Sequence, residues 1–202
     1  MTDAERAVMT TALCKEPKAS MPTPAHSLIQ ALDDRRQALF QGLEGLAPEV
    51  LRASLRPGTW SVLEILEHVV LAERVILQGL PDQTDLVDRP RSLRHRIKYP
   101  LVWLVLRLAI PVKVPSKRML PAGQRTLADL REEWDQHLRW LSALAAGPTA
   151  GAQGKACFVH PVAGPITLVQ ALRMDLLHLQ IHTRQISRIV KHQAELTARH
   201  SP

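Results

Sequence analysis

Apolar residues recur at helical intervals over four long stretches of the chain. Leu28, Leu32, Leu39, Leu43 and Leu46 lie one or two turns apart, which predicts a first helix starting near Thr23. Pro24 suits its first helical position, and Pro48 ends or kinks it. A second helix begins at Ser61-Val62-Leu63-Glu64, where Ser61 and Glu64 form a capping box. Val62, Ile65, Leu66, Val69, Ala72, Val75 and Ile76 then make one apolar stripe, and Gly79 and Pro81 stop it. The third helix starts at Thr126, with Asp129 as its capping partner. It carries Leu127, Leu130, Trp134, Leu138, Leu141 and Leu144 up to Gly147-Pro148. The fourth starts at Thr167, capped with Gln170, and is expected to reach about His192. Between the second and third lies an apolar run, residues 99–112, read as a short buried helix over 99–110. A brief extended piece at Cys157-Phe158-Val159 falls in a connection rich in Gly and Pro. Four amphipathic helices without a strand pattern predict an all-α fold, a four-helix bundle.

A length of 202 residues fits one domain. The expected division is an N-terminal tail over 1–22, the bundle over 23–192 and a C-terminal tail over 193–202. Cys14 and Cys157 form no CxxC pair and read as free thiols. The first twenty residues have no apolar core of the signal-peptide kind, so the expected location is cytoplasmic.

The net charge of +7 allows acidic partners without naming one. Two Phe, four Trp and one Tyr are too few for a platform that stacks single-stranded nucleic acid. No helix-turn-helix or zinc-finger spacing supports sequence-specific DNA binding. The fourteen residues of 99–112 fall short of the roughly 20 that span a bilayer. Basic residues flank them, so insertion into an anionic membrane surface is the alternative to burial. The basic stretch from Arg89 to Arg125 reads as a solvated face, or as one that attracts an anionic substrate, a membrane or a nucleic acid.

Chemistry concentrates in the histidines. His178 and His182 are four residues apart on the fourth helix, one turn apart on one face, so one metal ion can accept both imidazoles. The pair alone is a weak signal. His68 lies mid-way along the second helix among Ile65, Val69, Leu71 and Ala72. A lone histidine there is more often structural, but bundle metal sites draw inward-facing ligands from different helices. Three imidazoles would leave a coordination position open for water or substrate.

These segments resemble the DinB-like superfamily, which includes the YfiT-like metal-dependent hydrolases and thiol-dependent transferases. Thr59-Trp60-Ser61-Val62-Leu63-Glu64-Ile65-Leu66-Glu67-His68 is similar to its W-S-x-x-E-x-x-x-H pattern. His178-Leu179-Gln180-Ile181-His182-Thr183-Arg184-Gln185-Ile186 is similar to its H-x-x-x-H-x-x-Q-I pattern. His160 to Thr167 resembles the family's approach to the last helix. The resemblance implies up-down-down-up connections and a divalent metal, nickel or zinc, on His68, His178 and His182. It further implies a homodimer and, in some members, a low-molecular-weight thiol as cosubstrate for an unidentified small molecule. The apolar insert 99–112 and the basic loops 89–98 and 113–125 depart from the family and would reshape or cover the pocket.

Around the three histidines, Glu64 and Asp175 each sit one turn before a histidine and are candidates to support an imidazole. Capping already accounts for Glu64, and for Asp175 a solvated helix-face charge is an equal alternative. Gln185 is a candidate of the same kind or a bundle hydrogen-bonder. His160 is a candidate pocket residue, His137 is expected to be exposed, and Trp60 is expected to anchor packing. No general base is specified, so catalytic residues are not assigned. A non-catalytic, stress-associated bundle that keeps the histidine site to bind a metal or ligand without turnover is the competing reading.

Overall fold

The computed structural model describes residues 23–77, 87–146 and 154–200. Its elements are α1 (Pro24–Leu43), α2 (Pro48–Leu51), α3 (Val62–Leu77), α4 (Leu93–Arg107), α5 (Leu127–Ala146), β1 (Phe158–His160), β2 (Gly164–Ile166) and α6 (Leu168–His200). A 3-10 turn at Lys117–Met119 precedes α5. The stops at Gly79, Pro81 and Gly147-Pro148, the 1–22 tail and Cys14 lie outside the described residues.

Local chemistry sets the helix starts. Thr23 caps α1, with Pro24 in its first turn. At α3, Glu64 Oε2 accepts from the Ser61 amide at 2.8 Å, and the Glu64 amide donates to Ser61 Oγ at 3.3 Å. The same reciprocal pair forms between Thr126 and Asp129 before α5, and between Thr167 and Gln170 before α6. Each pair satisfies amides that the first helical turn leaves without an intrahelical partner.

The long helices form the expected all-α bundle. α1 and α3 each pack on both α5 and α6, so the four close a square with α1 diagonal to α3. Ile29, Leu32 and Phe40 of α1 meet Ile65, Leu66 and Val69 of α3, Leu130 and Trp134 of α5, and Leu172, Leu179 and Ile186 of α6 in one core. Phe40 stands edge-on to Trp134, and the buried Arg36 guanidinium lies 5.9 Å from the Trp134 ring, bridging Asp33 and Asp135. No helix among the described residues is long and apolar enough to cross a membrane.

Three expectations change. α1 ends at Leu43, where Gly45 takes φ +82, and Pro48 opens α2 instead of closing α1. α6 continues past His192 to His200. Its apolar period fades after Val190, but the following Gln, Ala, Glu, Leu and Arg are good helix formers without Pro or Gly. The apolar insert is not a buried helix. α4 starts at Leu93, capped by Ser92, and none of its residues is fully buried. Tyr99, Val102 and Leu106 pack on the core, while Leu93, Ile97, Leu101 and Leu104 face outward. Its apolar residues are divided between two faces, a division that a hydrophobic run does not display.

β1 and β2 form a hairpin in which His160 pairs with Gly164. The brief extended piece expected near Cys157 is therefore a strand, shifted by one residue. Gly164 has φ +75, and a Cβ there would sit 2.6 Å from the His95 ring of α4. The glycine thus permits both the turn and the seating of α4. Gly164→Ala is expected to cost about 1–2 kcal/mol in backbone strain alone, measured by urea denaturation. The same change should increase hydrogen exchange in α4 before the bundle helices.

Candidate metal centre

His68 projects from the middle of α3, and His178 and His182 lie on successive turns of α6. One nitrogen from each falls within 4.8 Å of the other two. The rings stand nearly edge to face, with centroids 5.2, 5.0 and 4.5 Å apart. Two helices therefore bring together the three histidines singled out in the sequence.

The protons are placed by hydrogen bonds. His68 Nδ1 lies 2.8 Å from the Met119 carbonyl. A carbonyl only accepts, so Nδ1 carries the proton and Nε2 presents a lone pair. His182 Nδ1 lies 3.1 Å from Gln185 Oε1, which assigns its proton in the same way. His182 Nε2 is 3.1 Å from His178 Nε2. With metal–nitrogen bonds of about 2.0–2.1 Å, that spacing is close to one edge of a coordination polyhedron. Borderline imidazole donors suit zinc and nickel alike. The residues present fit a divalent transition ion.

Burial keeps all three rings neutral. It lowers the pKa of His68, partly opposed by the Met119 hydrogen bond. It lowers that of His178 well below the ordinary value, helped by His182, His68 and His160. It takes His182 down to about 4, with His68 adding to the effect and Gln185 opposing it. Neutral imidazole is the ligating form, so no proton competes for these lone pairs at neutral pH.

The other candidates occupy definite places. His160, on β1, accepts from the Val162 and Ala163 amides through Nδ1 at 3.1 and 3.0 Å. Its proton is therefore on Nε2, which makes it a donor beside the cluster and not a fourth ligand; burial lowers its pKa to about 4. Glu64 is engaged in the α3 cap. Asp175 is not a solvated helix-face charge: it is buried close to Glu73, and burial and that neighbouring carboxylate raise its pKa well above the usual range. Trp60 packs at the site itself, its ring 4.8 Å from that of His68. His137 is not exposed: it sits between Glu73 and Glu133 at 3.6 and 3.5 Å. Cys157 is a buried free thiol, its pKa raised by burial and by Asp88, so it is not a reactive thiolate.

Two features were missed. Glu67, immediately before His68, is buried and accepts from the Ala122 and Gly123 amides at 3.1 and 2.9 Å. This pins the loop that supplies the Met119 carbonyl, so part of the basic loop 113–125 closes onto the histidine helix. An acid in the apolar run of α3 was the available signal; its partners, 55 and 56 residues away, were not. The second is a polar network deeper in the bundle. Trp134 Nε1 donates to Glu73, and Arg74 and Arg125 bind Glu133. Burial opposes the ionised form of Glu133, but the two arginines outweigh it and hold the pKa down.

One family model, described as the DinB superfamily, matches residues 31–186. No curated protein and no solved structure matches the chain.

Removing Glu67 strips two backbone amides of their acceptor. Glu67→Ala should destabilise the protein by about 1–3 kcal/mol, with Glu67→Gln milder, as read by chemical denaturation. The chelator-treated protein should lose stability as pH falls. His160 and His182 titrate near 4 when folded, against an ordinary 6.5, so between those values the unfolded chain binds more protons. Their contribution is fully present above pH 6.5 and declines towards pH 4. His68 and His178 act in the same direction, while the raised Asp175 opposes them with a single proton. Thermal melts across this range check the sign.

Proposed function

The chain belongs to the DinB superfamily, and from that premise we propose that it is a metal-dependent enzyme whose His68, His178 and His182 hold a nickel or zinc ion for thiol-dependent group transfer. The observation that carries this reading is the convergence of three neutral imidazoles, two of them with Nδ1 protons engaged on Met119 and Gln185. When bound, the ion supplies Lewis-acid charge that stabilises a thiolate or polarises a carbonyl.

The chain's own residues hold the donors in place. The Met119 carbonyl and the Gln185 amide fix two ring orientations, and Trp60 packs against the His68 ring. His160 retains an Nε2 proton beside the cluster. The acids around the cluster are already committed: Glu64 to the Ser61 amide, Glu67 to the Ala122 and Gly123 amides, and Asp175 to its buried place by Glu73. Hydrolysis benefits from a carboxylate that takes a proton from water. A thiol cosubstrate is intrinsically more acidic than water and depends less on such a base. That difference favours transfer over hydrolysis, the second activity the superfamily suggests.

Protein purified without a polyhistidine tag should contain about one transition-metal ion per chain, and His178→Ala should reduce the content at least about tenfold. Turnover of electrophilic substrates should require a low-molecular-weight thiol and cease after chelation. Equal turnover without thiol would favour hydrolysis, and loss of metal binding from the native protein would overturn the reading.

A further inference from the structure

The outward face of α4 and the turn that follows it are unlike the rest of the surface. Leu93, Ile97, Leu101, Leu104 and Leu108 recur at spacings of four, four, three and four and are all exposed, Leu93 by 73% and Leu108 by 60%. On a helix these positions span an arc of about 80°. Tyr99, Val102 and Leu106, which pack on the core, lie on the opposite side. Arg94 and Lys98 border the exposed arc on one flank, Arg96 and Arg107 on the other. The arc runs into a tip, Leu108-Ala109-Ile110-Pro111-Val112, in which every residue is exposed. Arg107 and Lys113 bracket that tip.

Charge is segregated onto this part of the chain. Residues 89–128 contain ten Lys and Arg and no Asp or Glu. That leaves sixteen basic and nineteen acidic residues elsewhere, a net of −3 against +10. We infer that α4 and the 108–112 tip dock on an anionic phospholipid bilayer, the apolar arc entering the headgroup boundary while the flanking basic side chains meet lipid phosphates. A helix with an exposed apolar arc and basic flanks is the arrangement that lies in a membrane interface, and long cationic side chains can reach headgroups from its edges. A second copy of the chain is a poorer occupant: a two-fold contact through this face sets like charge against like. Nucleic acid would meet the basic flanks but leave the apolar arc against a phosphate backbone. None of these residues belongs to the histidine cluster, so this inference does not depend on the metal reading.

The test is co-sedimentation of the full chain with phosphatidylcholine vesicles, pure or containing about one-third phosphatidylglycerol. Binding should be at least about tenfold stronger to the anionic vesicles and should weaken with added salt. Arg94→Gln with Arg96→Gln should weaken it about thirtyfold, since each basic side chain near the surface contributes about fivefold. Leu108→Asp with Ile110→Asp should weaken it at least about tenfold. Both variants alter exposed positions and should keep the parent's circular dichroism, melting temperature and metal content. Absence of vesicle binding overturns the inference, as does equal binding to neutral vesicles or undiminished binding by the aspartate variant. So does a dimer dispersed by the aspartate variant without lipid affinity, or binding to duplex DNA tighter than to the vesicles.

Discussion

The hydrogen bond from His68 to the Met119 carbonyl organises the centre of this protein. It settles which ring nitrogen holds the proton, turns the other towards α6, and ties the segment before α5 onto α3. The bond is in turn upheld by Glu67, whose carboxylate holds the next few residues of the same segment. A buried imidazole that must stay neutral has two tautomers of comparable energy, and a fixed carbonyl selects one. The fold thus commits a loop, a helix and a buried acid to the orientation of a single ring.

Much of this was legible because the signals are local. The three capping pairs at Ser61, Thr126 and Thr167 each operate over three residues, and all three form as read. His178 and His182 are related by helical pitch alone. Their meeting with His68 was suggested by the apolar surroundings of that residue and by the way bundles build metal sites from different helices, and it was implied by the resemblance to the superfamily. What stayed hidden depends on contacts between distant segments. Nothing near Met119 announces that its carbonyl faces an imidazole 51 residues earlier, and nothing near His137 announces the carboxylates of Glu73 and Glu133 around it. α4 was misread for a related reason: hydrophobicity reports how apolar a stretch is, not how its residues are shared between protein and solvent.

The interior carries a second polar region beside the histidines. Glu73 and Asp175 are both buried, and burial, with the neighbouring Glu73 carboxylate adding to it, favours keeping a proton on Asp175. Glu73 also accepts from Trp134, whose ring packs on Phe40 and lies under the Arg36 guanidinium. Such a network is costly unless its members are satisfied. The arginines on Glu133 and the indole on Glu73 go some way towards that, so α1, α3 and α5 are joined by directional contacts as well as apolar packing.

Asp175, His178, His182 and Gln185 all ride on α6 at intervals of three, four and three residues. Each therefore owes its place to the count of residues between it and the others. Inserting or deleting a single residue within this stretch would rotate everything beyond it by about 100°, scattering the donors even if each side chain were retained. Lengthening the turn between β1 and β2 would leave those intervals untouched. Along this segment, spacing is under stricter physical constraint than the identity of the intervening residues.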